Sequence, residues 1–227
     1  MSWTGWYRDS RGAEPISIEN DGKMLSVRIR GVDFTGTDFD GLEPLTGDLP
    51  TDAPFTLSMG DLCACTLEWV IPVRVDLGGN AVDGLLECQL KLGAPDSRGG
   101  IDAEDLTMIL RFGERSYATT KPHGLFEDAL ADLHQQLLPG QYVRSCVACA
   151  WSDYNPAGSP LFGGLACFRG NKDGYRQVKN KRDFFEVWRT KTEFVQETHV
   201  CGEFERRGPG AGYRGSFPPE RGSGGVG

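Results

Sequence analysis

The sequence has no apolar run approaching the roughly 18 residues of a bilayer-spanning helix, which excludes membrane insertion by that route. Its opening, Met1-Ser2-Trp3-Thr4-Gly5-Trp6, lacks the basic, apolar and small-residue succession of a secretory signal, so a cytoplasmic location is expected. Histidine is scarce: there are three, and none stands at metal-ligand spacing from another. An even cysteine count is missing too. Seven cysteines in a chain without an export signal argue against a disulfide framework and leave metal binding or catalysis as the better reading. No internal repeat is visible, which excludes solenoids and propellers.

Positive charge is short overall, with a formal net charge of -8, and the shortfall is uneven. Residues 1–145 carry 12 Lys and Arg against 23 Asp and Glu, whereas residues 146–227 carry 12 against 9. The acidic front repels nucleic acid and anionic membranes, and suits a basic protein partner.

At 227 residues the chain is long enough to bury a real core. Residues 1–120 alternate with period two and are punctuated by turn residues, the pattern of an antiparallel sheet, either a sandwich or a curled sheet. Leu86, Cys88, Leu90 and Leu92 give the clearest strand; Leu106, Met108, Leu110 and Phe112 repeat it, as do Leu67, Trp69, Ile71 and Val73. Asn20-Asp21-Gly22 predicts a tight hairpin before Leu25, Val27 and Ile29. Residues 124–138 predict a helix, with Phe126, Leu130, Leu133 and Leu137 on one face, Glu127 and Asp128 in the first turn, and Pro139-Gly140 as terminator. Residues 172–188 predict a second helical region, broken near Asn180, with Asp183 capping its second half. The expected fold is therefore α+β: an antiparallel β-sandwich-like domain over 1–120, then a packed helix and a four-cysteine, zinc-stabilised module over 121–215, and a disordered Gly-rich tail over 216–227.

The chemistry centres on "CVACAWSDYNPAGSPLFGGLACFRG", residues 146–170. Cys146 and Cys149 form a C-x-x-C pair, Cys167 follows after 17 residues, and Cys201 after another 33. Four thiolates suffice for one tetrahedral zinc, and a two-residue gap lets both sulfurs of a knuckle bind one ion. The competing readings are four buried core thiols, a redox pair, and a nucleophilic Cys149 with His199 as base. On a strand His199 would share a face with Cys201 and could replace a cysteine ligand. Cys63, Cys65 and Cys88 fall on strands and are expected in the core.

Three further features carry less. Residues 210–215 spell G-x-G-x-x-G, but Pro218-Pro219 follows instead of the helix that receives a pyrophosphate. Residues 168–191 interleave Phe168, Tyr175, Phe184, Phe185 and Trp188 with basic side chains, a recipe for nucleic-acid binding that a basic helix with an aromatic core face also satisfies. Glu203, Glu205, Arg206 and Arg207 offer a charge network with Tyr213 and Arg214, or a solvated run. Trp151-Ser152-Asp153-Tyr154 serves binding or folding equally well.

The succession C-x-x-C-x-W-S-D-Y-N-P-x-G from Cys146, F-G-G-L-A-C-F-R from Phe162, and V-Q-E-T-H-V-C-x-E-F-E-R-R-x-P-G-x-G-Y-R-G from Val195 resembles an uncharacterised bacterial family described only as a domain of unknown function. I-R-G-V-D-F-T-G-T-D-F from Ile29 and G-D-L-C-A-C-T-L-E from Gly60 extend the likeness through the front half. The resemblance implies that the four cysteines and the Glu-Phe-Glu-Arg-Arg segment form one pattern, and it departs at His199, where a tyrosine is expected. It implies no activity. The function expected is a non-enzymatic, zinc-stabilised interaction protein, an immunity or conflict-system partner being one such role. The alternatives are a zinc- or thiol-dependent enzyme and a nucleic-acid-binding protein using 168–191.

Overall fold

A computed structural model describes residues 1–47, 49, 53–208 and 213–218. In chain order the strands are β1 (Ser2–Asp9), β2 (Gly12–Asn20), β3 (Leu25–Ile29), β4 (Val32–Gly36), β5 (Glu43–Pro44), β6 (Thr56–Ser58), β7 (Asp61–Cys63), β8 (Cys65–Leu77), β9 (Ala81–Leu92), β10 (Glu104–Phe112) and β11 (Arg115–Ala118). Helix α1 (Phe126–Gln136) and strands β12 (Gln141–Arg144), β13 (Ser152–Asp153) and β14 (Leu165–Cys167) follow. The short helices α2 (Lys172–Arg176) and α3 (Lys181–Val187) and the strand β15 (Glu193–Val195) complete the order.

The alternation read from the sequence becomes one antiparallel sheet in the order β11-β10-β9-β8-β1-β2-β3-β4-β5, with β12 also on β8. The expected two-sheet sandwich is thereby corrected to a single hydrogen-bonded sheet over these strands. The physical reason lies in β8 and β9, which are 13 and 12 residues long and pair from Cys65↔Leu92 to Asp76↔Ala81 without a break that would let strands cross to a second layer. One face buries Leu67, Trp69, Ile71, Leu86, Cys88, Leu90, Leu106 and Met108. Onto it fold α1, through Phe126, Ala129, Leu130 and Leu133, and the rear residues Val147, Leu161, Phe162 and Leu165, so front and rear share one core. Cys65 and Cys88 belong to that core, as expected, and Cys63 is buried beside it.

Gly5 shows how closely β1 and β8 approach, because a Cβ built there would stand 1.8 Å from the Glu68 carbonyl oxygen. That atom is backbone and cannot rotate away, so Gly5→Ala is expected to destabilise the protein by about 2 kcal/mol in urea unfolding; an unchanged midpoint would show that the strands slide apart freely.

The break expected near Asn180 is present, but Asn180 itself is the cap of α3. Its extended backbone lets Oδ1 accept the N–H groups of Arg182 and Asp183, while Asp183 instead accepts from Asn180 Nδ2 at 2.9 Å. Phe168, Tyr175 and Phe184, three of the five aromatics in the nucleic-acid recipe, are fully buried in a second cluster with Trp151 and Val187. These three are unavailable to stack on bases, whereas Phe185 is exposed beside Lys181, Arg182 and Arg189. Among the described residues no helix is long and apolar enough to cross a membrane. Phe217, at the expected start of the tail, is buried beside His134; residues 219–227 and the first three glycine-motif positions, 210–212, lie outside the described residues.

Candidate metal centre

Cys146 and Cys149 flank a single 3-10 turn, Cys146–Ala148, closed by Cys149 N–H donating to the Cys146 carbonyl at 3.0 Å. Two passes of the rear chain hold this turn. Cys146 N–H donates to His199 O at 2.6 Å and Val147 N–H to Glu197 O at 3.1 Å, which lays residues 197–199 beside the knuckle and delivers Cys201. Ala150 N–H donates to Glu205 O and Arg207 N–H to Ala148 O, binding the Glu-Phe-Glu-Arg-Arg segment to its other side. Cys167 arrives on β14, opposite Ser152 of β13.

The distant cysteines are thus brought together. The thiols of Cys149, Cys167 and Cys201 all act electrostatically on Cys146, adding to the burial that pushes its thiol well up. Burial also raises Cys149, although its sulfur accepts the backbone N–H groups of Glu205 and Trp151, the kind of contact that favours a thiolate. Arg169 Nη1 lies 3.5 Å from Cys167 Sγ. Cys146, Cys149 and Cys167 are buried and Cys201 half-buried. Among the described residues, however, no group of three or more His, Cys, Asp or Glu side chains is arranged so that it could hold a metal ion as it stands. His199 follows β15 in irregular chain, so the strand argument that placed it on one face with Cys201 does not apply.

Behind the cysteines lies a constellation that sequence reasoning missed. Arg207, 2% exposed, donates through Nε to Cys149 O at 3.1 Å, through Nη2 to Ser152 O and to Tyr175 Oη at 2.9 Å, and through Nη1 to Gly215 O. Tyr175 Oη in turn donates to Asp153 Oδ2 at 2.8 Å. Burial pushes Asp153 up to about 6, with the Arg207 charge and the Tyr175 bond pulling the other way. Arg214, against the expected local network, reaches Glu127 of α1 and the Val147 carbonyl. Glu203 pairs with Lys172 and Glu205 with Arg176, and both cations sit over the Trp151 ring. Asp153, Trp151 and Tyr154 are therefore folding elements. The available signal was the presence of W-S-D-Y and E-R-R in one motif succession, which gives no hint that an arginine is buried.

A second carboxyl network joins front to rear. Glu197, wholly buried, accepts from Tyr154 Oη at 2.7 Å and from Gly163 N–H at 2.7 Å, and burial pushes it up to about 7. Asp38 accepts from Phe162 N–H at 3.0 Å and from Phe39 N–H at 2.6 Å. Burial, with the nearby Asp40 charge, raises it to about 8.

One large antiparallel sheet with short helices and a cysteine-bearing rear segment packed on its core defines an α+β protein. The chain belongs to a family of unknown function, DUF6304, which matches residues 1–152, from β1 through Cys146 and Cys149 to the start of β13. No curated protein matches it, and no solved structure matches it.

Proposed function

We propose that the protein is a non-enzymatic interaction protein whose rear segment is clasped by one zinc ion on Cys146, Cys149, Cys167 and Cys201. The observation that carries this reading is the convergence of four cysteines from three separated segments on one turn, with two backbone amides donating to the Cys149 sulfur. Zinc binding requires the four sulfurs to close to about 2.3 Å from one ion, an adjustment beyond their present arrangement. Four cysteines would fill a tetrahedron and leave no position for substrate, and the buried thiols are poorly placed as nucleophiles, which favours structure over catalysis. Elemental analysis of protein purified without added metal tests the clasp: one zinc per chain is expected, lost in Cys201→Ser, and a metal-free wild type that is folded refutes it.

The partner-facing surface is the acidic end of the sheet. Asp40, Asp61 and Glu104 line one hollow with Glu43 nearby, and among the described residues no Lys or Arg makes an ion pair with any of the four. Burial raises Asp61 and Glu104, and the charge of Asp40 raises both further. Such a site gains most from a cationic side chain. An arginine-rich peptide should bind with an affinity that falls as salt rises, and the combined Asp40→Asn, Asp61→Asn and Glu104→Gln substitutions should weaken it by about tenfold. Binding indifferent to those substitutions would place the partner elsewhere.

A further inference from the structure

The face of the sheet opposite the core carries an open trough of about 330 Å³, the small end of the range for ligand pockets. The strand register builds it. Gly5, Trp69, Cys88 and Met108 stand opposite one another on β1, β8, β9 and β10, and the last three send their side chains into the core, so the backbone of this row forms a floor. The adjoining rows point outward as walls: Trp6, Glu68, Gln89 and Thr107 on one side, Val70, Glu87 and Ile109 on the other. All of these wall residues reach solvent, Trp6 being 43% exposed and the others exposed or half-buried. Crossing four strands makes the trough about 14 Å long.

Charge and hydrogen-bonding capacity limit what fits there. Both carboxylates in the walls already hold a cation, Glu68 pairing with Arg8 at 3.1 Å and Glu87 with Arg111 at 2.7 Å. The fixed charges cancel, so the trough complements a neutral occupant. Gln89 donates Nε2 to Glu68 Oε1 at 3.1 Å, which orients its amide and leaves Oε1 as an acceptor. Among the described residues Gln89 Oε1, Glu87 Oε2 and the Thr107 hydroxyl make no hydrogen bond. Their partner is therefore a molecule without net charge that brings several donors.

We propose that this trough binds a short neutral oligosaccharide, with Trp6 against the C–H face of a sugar ring and Glu87, Gln89 and Thr107 bonded to its hydroxyls. A pyranose has apolar C–H groups on its faces and hydroxyls around its rim, which matches walls that set Trp6, Val70 and Ile109 among those polar groups. The electron-rich face of an indole attracts polarised C–H groups. Arg8 lies over one face of the Trp6 ring, 5.1 Å from its centroid, and steadies the ring at the β1 end of the trough. An extended peptide has nothing to pair with, because the N–H and C=O groups of the floor are spent in the strand ladders. The proposal depends on neither the zinc clasp nor the acidic hollow.

Cellotriose, maltotriose, mannotriose and N-acetylated chitotriose serve as probes on the full-length protein, each followed by NMR. At least one should bind with a Kd of about 1 mM or tighter and shift the Trp6 indole N–H resonance. Because the ligand is neutral, that affinity should change less than about twofold between about 0.05 and 0.5 M salt. Trp6→Ala should weaken binding at least about tenfold. Thr107→Val, which keeps the shape and strand preference of a half-buried position, supplies a second measurement and should weaken binding about threefold with the urea midpoint unchanged. No binding by any of the four, a Trp6 resonance that does not move, an affinity that falls as salt rises, or a dimer of the protein that Trp6→Ala dissociates overturns the proposal.

Discussion

Replacing Arg207 by Met should lower the unfolding free energy by about 3–5 kcal/mol, the usual consequence of removing one partner from a buried charged network. The guanidinium sits between the cysteine turn and the second aromatic cluster, and its bonds to Cys149 O, Ser152 O and Tyr175 Oη all run to buried groups. Methionine fills much of the volume but strands those acceptors. It also leaves Asp153 inside with no cation, since the Arg207 charge is the largest influence holding that carboxyl down against burial.

Two variants separate this account from simple loss of packing. Arg207→Lys should recover little, because an ammonium cannot reproduce a planar fork that addresses several acceptors at once. Adding Asp153→Asn to Arg207→Met should restore part of the loss, since the stranded charge is then gone. In Arg207→Met alone, the Asp153 carboxyl should titrate above its present value of about 6 when followed by NMR. A loss below about 1 kcal/mol in urea unfolding would mean that the network is surface-like despite its burial.

What the sequence made legible was local. The alternation at Leu86–Leu92 and Leu106–Phe112 lies within β9 and β10, and the four-three-four spacing of Phe126, Leu130, Leu133 and Leu137 falls on α1 and the residue after it. Period two reports that a face is buried, not which strand lies alongside. The placement of β1 against β8, which pairs Trp6 with Glu68 across some sixty residues, leaves no trace in either segment. For the same reason a sandwich and a single curled sheet looked alike. The C-x-x-C turn was readable because both residues lie in one turn. The burial of Arg207, Glu197 and Gln196 was not, since a charged or amide residue looks solvated until distant partners such as Tyr175, Tyr154 and Asn20 are placed beside it. Nor could the sequence show that Phe168, Tyr175 and Phe184 turn inward, because a basic helix with an aromatic face reads the same in either orientation.

Those buried carboxyls make the protein lose stability toward alkaline pH. Asp38, Glu197 and Asp153 stand at about 8, about 7 and about 6, all above the ordinary carboxyl values near 4 that they regain on unfolding. The unfolded chain therefore releases protons that the folded one retains, and each group favours folding fully below pH 4 and progressively less as pH climbs toward its folded value. At about 1.36 kcal/mol per unit, Glu197 alone accounts for about 3 kcal/mol between pH 4 and 8. On the acid side Asp9 works in the opposite sense: the Arg30 side chain holds it at about 2, so its contribution is present above pH 4 and disappears as pH falls through 2. Together these groups place their stability maximum at about pH 3.5, where what Asp9 gains with rising pH balances what the three raised carboxyls lose. The informative variant is Asp38→Asn, whose Oδ1 can still accept from Phe162 and Phe39, with Nδ2 taking the place of the Oδ2 that shares the Phe162 N–H at 3.0 Å. It should match the wild type near pH 3 and exceed it by several kcal/mol at pH 8, because asparagine has no proton to lose when the chain unfolds. Taking the difference between the two proteins at each pH cancels whatever bound zinc contributes, since both carry the same cysteines. A difference that stays flat from pH 4.5 to 8 would mean that Asp38 ionises in the folded protein as readily as in the unfolded chain, and that water or a cation reaches it behind Phe162.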